Sequence, residues 1–267
     1  MSKTAIIISA SSDIGDAMAR RWKKTGWNVV GTYRTKSDKV NELAGEGIKL
    51  IPCDLSNKES IVKACSQFPK WDVLVLCPGT QDPVGKFAEN NFDEWEESIK
   101  VNLTSQLRIV HALLPNRNKD ACVMFFAGGG TNNAPQNYSA YTLSKIALIK
   151  MTELLDAEVP DTRFAIVGPG WVKTKIHEST LKAGKKAGSN LSKTKEKLSS
   201  NECTPMNDVL DCCEWIAASP RKVVGGRNFS VAFDKWGDEE LVNKLKEDSD
   251  IYKLRRFGND LLIKEEK

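Results

Sequence analysis

Short apolar, β-branched runs alternate with longer helical patterns along almost the whole chain, and this alternation constrains the fold more than any other feature. The run Thr4–Ser9 precedes a helical pattern through GDAMARRWKKTG. Asn28–Tyr33 precedes SDKVNELAGEG, IKLIP precedes SNKESIVKACSQF, and Asp72–Leu76 precedes a loop and one long helical pattern from about Phe92 to Leu114. ACVMFFA then leads into a helix with Tyr141 and Lys145, RFAIVGPG follows, and Asn228–Phe233 closes the series. The runs are continuously apolar, as strands covered on both faces must be. They predict a doubly wound parallel sheet of seven strands between two helical layers, a three-layer α/β/α architecture with right-handed crossovers. There is no internal repeat. The 267 residues read as one domain over 1–267. The lysine-rich break Lys182–Glu202 lies inside the last crossover, so it is an insertion, at about 175–205, and a helical-looking tail follows at about 236–267.

Composition narrows the function. A net charge of +4 with 28% charged residues is far from the dense basic surface of a nucleic-acid binder, so no nucleic-acid partner is expected. No apolar run approaches the roughly 20 residues that span a bilayer, and no membrane partner is expected. The N-terminus reads as a first strand and not as a signal peptide. Seven cysteines without a C-x-x-C pair read as reduced thiols of a cytoplasmic protein. His111 and His177, the only histidines, have no Cys or His at ligand spacing, so no metal site is expected.

The turn after the first strand, SASSDIG, is built of small residues and opens a helix. Such a turn lets a pyrophosphate approach the backbone, with the helix N-terminus supplying N–H groups and positive dipole. Gly15 is its one glycine; Ser9 and Asp13 stand where glycines are usual. Asp13 is expected to turn toward its helix as the N-cap, with Asp16 in the first turn. At the end of the second strand an acid would bind the ribose of NAD. The sequence has Arg34 and Lys36 there instead, cations that suit a 2′-phosphate, so NADP is expected over NAD.

These residues, with CDL at Cys53–Leu55, CPG at Cys77–Gly79, VNL at Val101–Leu103, Tyr141-x-x-x-Lys145 and PGWVKT at Pro169–Thr174, resemble the short-chain dehydrogenase/reductase family over about residues 4–235. The resemblance implies a Rossmann fold and an NAD(P)-dependent oxidoreductase acting on alcohols and ketones, as a homodimer or homotetramer. It implies that Ser9, Ser11, Ser12, Asp13, Ile14, Arg34, Asp54, Leu55, Gly79, Pro169, Gly170, Val172 and Thr174 bind the cofactor. Asn102 would hold a proton-relay water, Tyr141 would be the acid/base, and Lys145 would bind the nicotinamide ribose. Residues four apart share a helix face, so Lys145 is expected to lower the pKa of Tyr141. Tyr138 has uncharged Thr142 at that spacing and is expected to line the pocket or pack.

One element of the family pattern is missing. Relatives carry a serine 13 or 14 residues before the tyrosine, which steadies the developing oxyanion. Here those positions are Gly128 and Ala127, and Ala127 is taken to hold the vacated place. Three readings compete: Thr131 or another hydroxyl replaces the donor; the substrate or a backbone N–H of Gly128–Gly130 does; or the chain is a catalytically weak nucleotide-binding sensor or partner subunit. Gly and Ser in the insertion suggest a mobile substrate lid. Its lysines suit an anionic, sugar-related small molecule, or else only solvate a loop.

Overall fold

The computed structural model describes residues 2–200 and 202–258. Seven strands form one parallel sheet in the order β3-β2-β1-β4-β5-β6-β7. They are β1 (Thr4–Ile8), β2 (Asn28–Tyr33), β3 (Lys49–Pro52), β4 (Trp71–Leu76), β5 (Arg117–Phe126), β6 (Arg163–Gly168) and β7 (Arg227–Ser230). The order reverses between β1 and β4, and α/β sheets bind ligands at the carboxyl ends of their strands beside such a switch. β7 stops at Ser230, short of the expected Phe233, because Asp234 Oδ2 accepts from Ser230 N (2.6 Å) and Asp234 N returns to Ser230 O (3.1 Å), closing a turn.

Alternate side chains of each strand feed opposite cores. Ile7, Val75, Met124 and Phe229 pack with Met18 and Trp22 of α1 (Asp13–Lys24) and with Ile216 of α9 (Met206–Ala218). Ile6, Leu74, Phe125 and Ile166 pack the other way, toward α3 (Lys58–Cys65), α5 (Ser105–Leu113) and α6 (Ser139–Glu158). Two short helices, α2 (Asp38–Gly45) and α4 (Phe92–Ile99), complete the layers. The stretch expected as one helix to Leu114 is interrupted: a π-helical turn, Lys100–Thr104, separates α4 from α5.

The lysine-rich insertion is folded. It contains α7 (Glu178–Ala183) and α8 (Ser189–Ser199), joined by a 3₁₀ turn. α10 (Arg221–Val224) precedes β7, and the tail forms α11 (Glu239–Glu247), whose buried Leu245 joins the α1/α9 core. Residues 251–258 are turn and not helix, and the end of the expected tail, 259–267, lies outside the described residues. Among the described residues no helix is long and apolar enough to cross a membrane.

Candidate functional site

A cavity of about 1410 Å³ runs along the carboxyl ends of the strands. That exceeds the 300–1,000 Å³ of ordinary small-molecule pockets and has room for a dinucleotide with a small molecule beside it. Ser9, Ser11, Ser12, Asp13 and Ile14 wall one end, and Tyr141, Lys145, Pro169, Gly170, Val172 and Thr174 wall the other. Arg34, Asp54, Leu55 and Gly79 also line it. Asn102 does not; it is fully buried behind the wall.

The first turn is tight. Ser9 sits at φ 61°, a left-handed conformation that favours glycine, and is held there by Thr32 Oγ1 on its N–H (2.8 Å). A Cβ on Gly15 would come within 2.4 Å of Ser9 O, so this position needs glycine. The N-cap of α1 is Ser12 and not Asp13: Ser12 Oγ accepts from Gly15 N at 3.2 Å. Asp13 is already helical, and its carboxylate reaches away, accepting from Lys175 N (2.8 Å) and lying 3.0 Å from Lys39 Nζ. Burial pushes its pKa up, but the Lys175 N–H and Lys39 outweigh burial and hold it below the usual value.

Beyond β2, Arg34 is exposed on the cavity wall and, among the described residues, forms no ion pair, whereas Lys36 lies outside the wall. Asp54 opposite is fixed by its own turn, accepting from Ser56 N (2.9 Å) and Ser56 Oγ (2.8 Å). Those bonds and Arg34 hold its carboxyl low.

At the other end, Tyr141 Oη has no hydrogen-bond partner among the described residues. Lys145 Nζ lies 5.9 Å from the Tyr141 ring centroid and 3.5 Å from Pro78 O. The expected lowering of the phenol pKa does not occur. Burial pushes Tyr141 up to about 12, and it pushes Lys145 down to about 8. Desolvation outweighs a cation placed beyond direct contact. The missing hydroxyl is also relocated. Ala127 packs in the core with Leu148 and Ile149. Gly128 faces the phenol: a Cβ there would lie 2.7 Å from Tyr141 Oη and 2.8 Å from Cζ.

Across this site a family model described as enoyl-(acyl carrier protein) reductase matches residues 8–232. The chain belongs to the short-chain dehydrogenase/reductase family. It is therefore an oxidoreductase of that type. It is 24% identical to serine 3-dehydrogenase of Agrobacterium fabrum over 84% of this chain and 91% of that protein. Among solved structures, BdcA in complex with NADPH superposes with a TM-score of 0.72 at 22% identity, covering 85% of this chain and 92% of that one. A 4-hydroxyisoleucine dehydrogenase mutant complexed with NADH and succinate superposes at 0.73 with 21% identity, covering 85% and 94%.

In this short-chain dehydrogenase/reductase the π turn gives Asn102 its work. Its side-chain amide pairs with the backbone of Thr80 in both directions, accepting from Thr80 N (2.9 Å) and donating to Thr80 O (2.8 Å). The backbone carbonyl of Asn102, the residue expected to hold a relay water, accepts from Gln106 Nε2 at 2.7 Å. Gln106, which no sequence signal singles out, also donates to Pro78 O (3.3 Å), the carbonyl that Lys145 reaches.

The insertion covers the cavity and is tied down at several points. Tyr138 Oη bonds Thr180 Oγ1 (2.8 Å), which donates to Gln81 Oε1 (3.1 Å); Ser179 Oγ donates to Asp82 (3.0 Å). His177 stacks on Trp171 with centroids 3.8 Å apart. Ser179, Thr180, Asn190 and Thr194 face the cavity, but Lys182, Lys185, Lys186, Lys193, Lys195 and Lys197 do not. Of the two readings of these lysines, the geometry suits solvation: among the described residues Lys175 is the one lysine of the insertion on the wall.

Proposed function

We propose that the chain is an NADP-dependent carbonyl reductase, and in reverse an alcohol dehydrogenase, for a small, polar, sugar-like substrate. The observation that carries this reading is the phenol of Tyr141, unpaired and open to the cavity, with Lys145 one helical turn on. Bound nicotinamide supplies the hydride. Tyr141, protonated at neutral pH, gives its proton to the carbonyl oxygen as that oxygen becomes an alkoxide. Lys145, mostly charged at neutral pH, would hold the nicotinamide ribose and add positive charge to the site.

Gly128 leaves room for the phenol, and the oxyanion donor falls to the backbone. Gly128, Gly129 and Gly130 line the cavity, and their N–H groups make no hydrogen bond among the described residues. Thr131 is exposed on the same turn. The cofactor choice rests on Arg34, since similar folds carry NADPH in one case and NADH in another. The substrate side offers hydroxyls and amides together with the carboxylates of Asp82, Glu94 and Glu97. That wall favours a hydroxylated substrate and gives an anionic one no lysine cluster to meet. Leu143 and Leu154, three turns apart and exposed on α6, offer a face for a homo-oligomer. Seven unpaired thiols suit a cytoplasmic setting.

The test is a panel of hydroxyketones and keto-sugars assayed with NADPH and NADH, alongside Arg34→Ala. Turnover with NADPH should exceed that with NADH, and Arg34→Ala should weaken NADPH binding about 10- to 100-fold while leaving NADH unchanged. NADPH binding without turnover of any carbonyl would favour a nucleotide-binding partner subunit instead.

A further inference from the structure

We propose that Asp13 is a positioning residue that ties the first turn of the lid to the start of α1 and is displaced from the lid when the pyrophosphate of the dinucleotide binds there. This rests on the nucleotide reading above. Asp13 lies in the first turn of α1, where free N–H groups and the helix dipole favour an anion. Ser12 already caps that helix, so the carboxylate is not needed as the cap. It is spent on two other elements instead: one oxygen accepts from Lys175 N at 2.8 Å, and the other lies 3.0 Å from Lys39 Nζ on α2. Lys175 opens the lid, and among the described residues no other hydrogen bond joins the lid to the β1–α1 turn. Both Asp13 and Lys175 line the cavity.

A pyrophosphate seated on the N-terminus of α1 therefore meets a carboxylate of like charge. Two negative charges in contact there repel strongly. The carboxylate has to release the Lys175 N–H while keeping Lys39, and that N–H then becomes free for a phosphate oxygen. Cofactor entry and the hold on the lid are thus coupled, and such coupling acts in both directions. A glycine at position 13 would leave the anion site open and the lid unattached to this turn.

The experiment uses the full chain with Asp13→Asn and Asp13→Gly. NADPH dissociation constants are measured by fluorescence titration, and tryptic cleavage within the lid is followed without ligand. Asp13→Asn keeps the shape and removes the charge, so NADPH should bind about tenfold tighter. Asp13→Gly should also expose the lid lysines to faster cleavage in the free protein. Loss of a merely structural residue would not tighten ligand binding. Equal or weaker NADPH binding by Asp13→Asn with an unchanged melting temperature overturns the proposal. Failure of the wild-type chain to bind either dinucleotide would instead sink the nucleotide reading itself.

Discussion

Gly128 and Tyr141 act as a pair at the scale of single residues. The phenol occupies the space that a side chain at 128 would take, with two ring carbons and the hydroxyl oxygen 2.7–2.8 Å from the Cβ position. Any substitution there has to push the ring aside. Displacement of a reacting group by about 1 Å can cost about 10²-fold in rate, so Gly128→Ala should lower kcat by that order while NADPH binding is retained; a kcat within a few-fold of wild type would show that the notch is not needed. Counting back from Tyr141 reaches both Ala127 and Gly128, and the AGGG pattern favours Ala127 for the place of the missing serine. Neighbouring residues of an extended segment point to opposite faces, and only the coordinates say which one meets the phenol. The same is true of Ser12 and Asp13: both are good capping residues, and their order in the chain does not reveal which side chain turns back on the helix.

At the scale of elements, the strands were readable because continuous apolar runs of β-branched residues have one stable use, inside a sheet covered on both faces. The π turn at Lys100–Thr104 was not readable, since one extra residue within a long helical pattern barely disturbs its periodicity. The lid carries more regular structure than its composition suggests. Gly and Ser suggested a loose segment, but its lysines and glutamates are good helix formers and α7 and α8 result, with the lysines turned to solvent. The lid also has a pH response. Burial lowers the pKa of His177, against the raising effect of its bond to Val172 O (2.9 Å). The unfolded chain therefore takes up a proton near pH 6.5 that the folded chain resists. The sign follows: the stability contribution of His177 falls as pH drops below 6.5. Thermal melts between pH 7 and 5.5 should show a falling melting temperature, flattened in His177→Phe. Identical slopes in the two proteins would contradict this account of the lid.

Across the whole molecule, the sheet reversal between β1 and β4 and the open carboxyl ends create one cavity, and loops from distant parts of the chain share its wall. In the proposed reading the turn after β1, the strand end at Arg34, the Gly128–Gly130 turn and the lid would each contribute a different function: anion binding, phosphate selection, oxyanion donation and cover. The central claim is that this cavity performs acid-assisted carbonyl reduction and is not only a nucleotide site. Single-residue replacement of the acid tests it most directly. With a substrate found in the panel, NADPH consumption by Tyr141→Phe should fall about 10²- to 10⁴-fold, while its NADPH dissociation constant stays within about twofold of wild type, since it is the phenol proton that is lost and not the cofactor cradle. Undiminished turnover in a folded Tyr141→Phe protein would contradict the account.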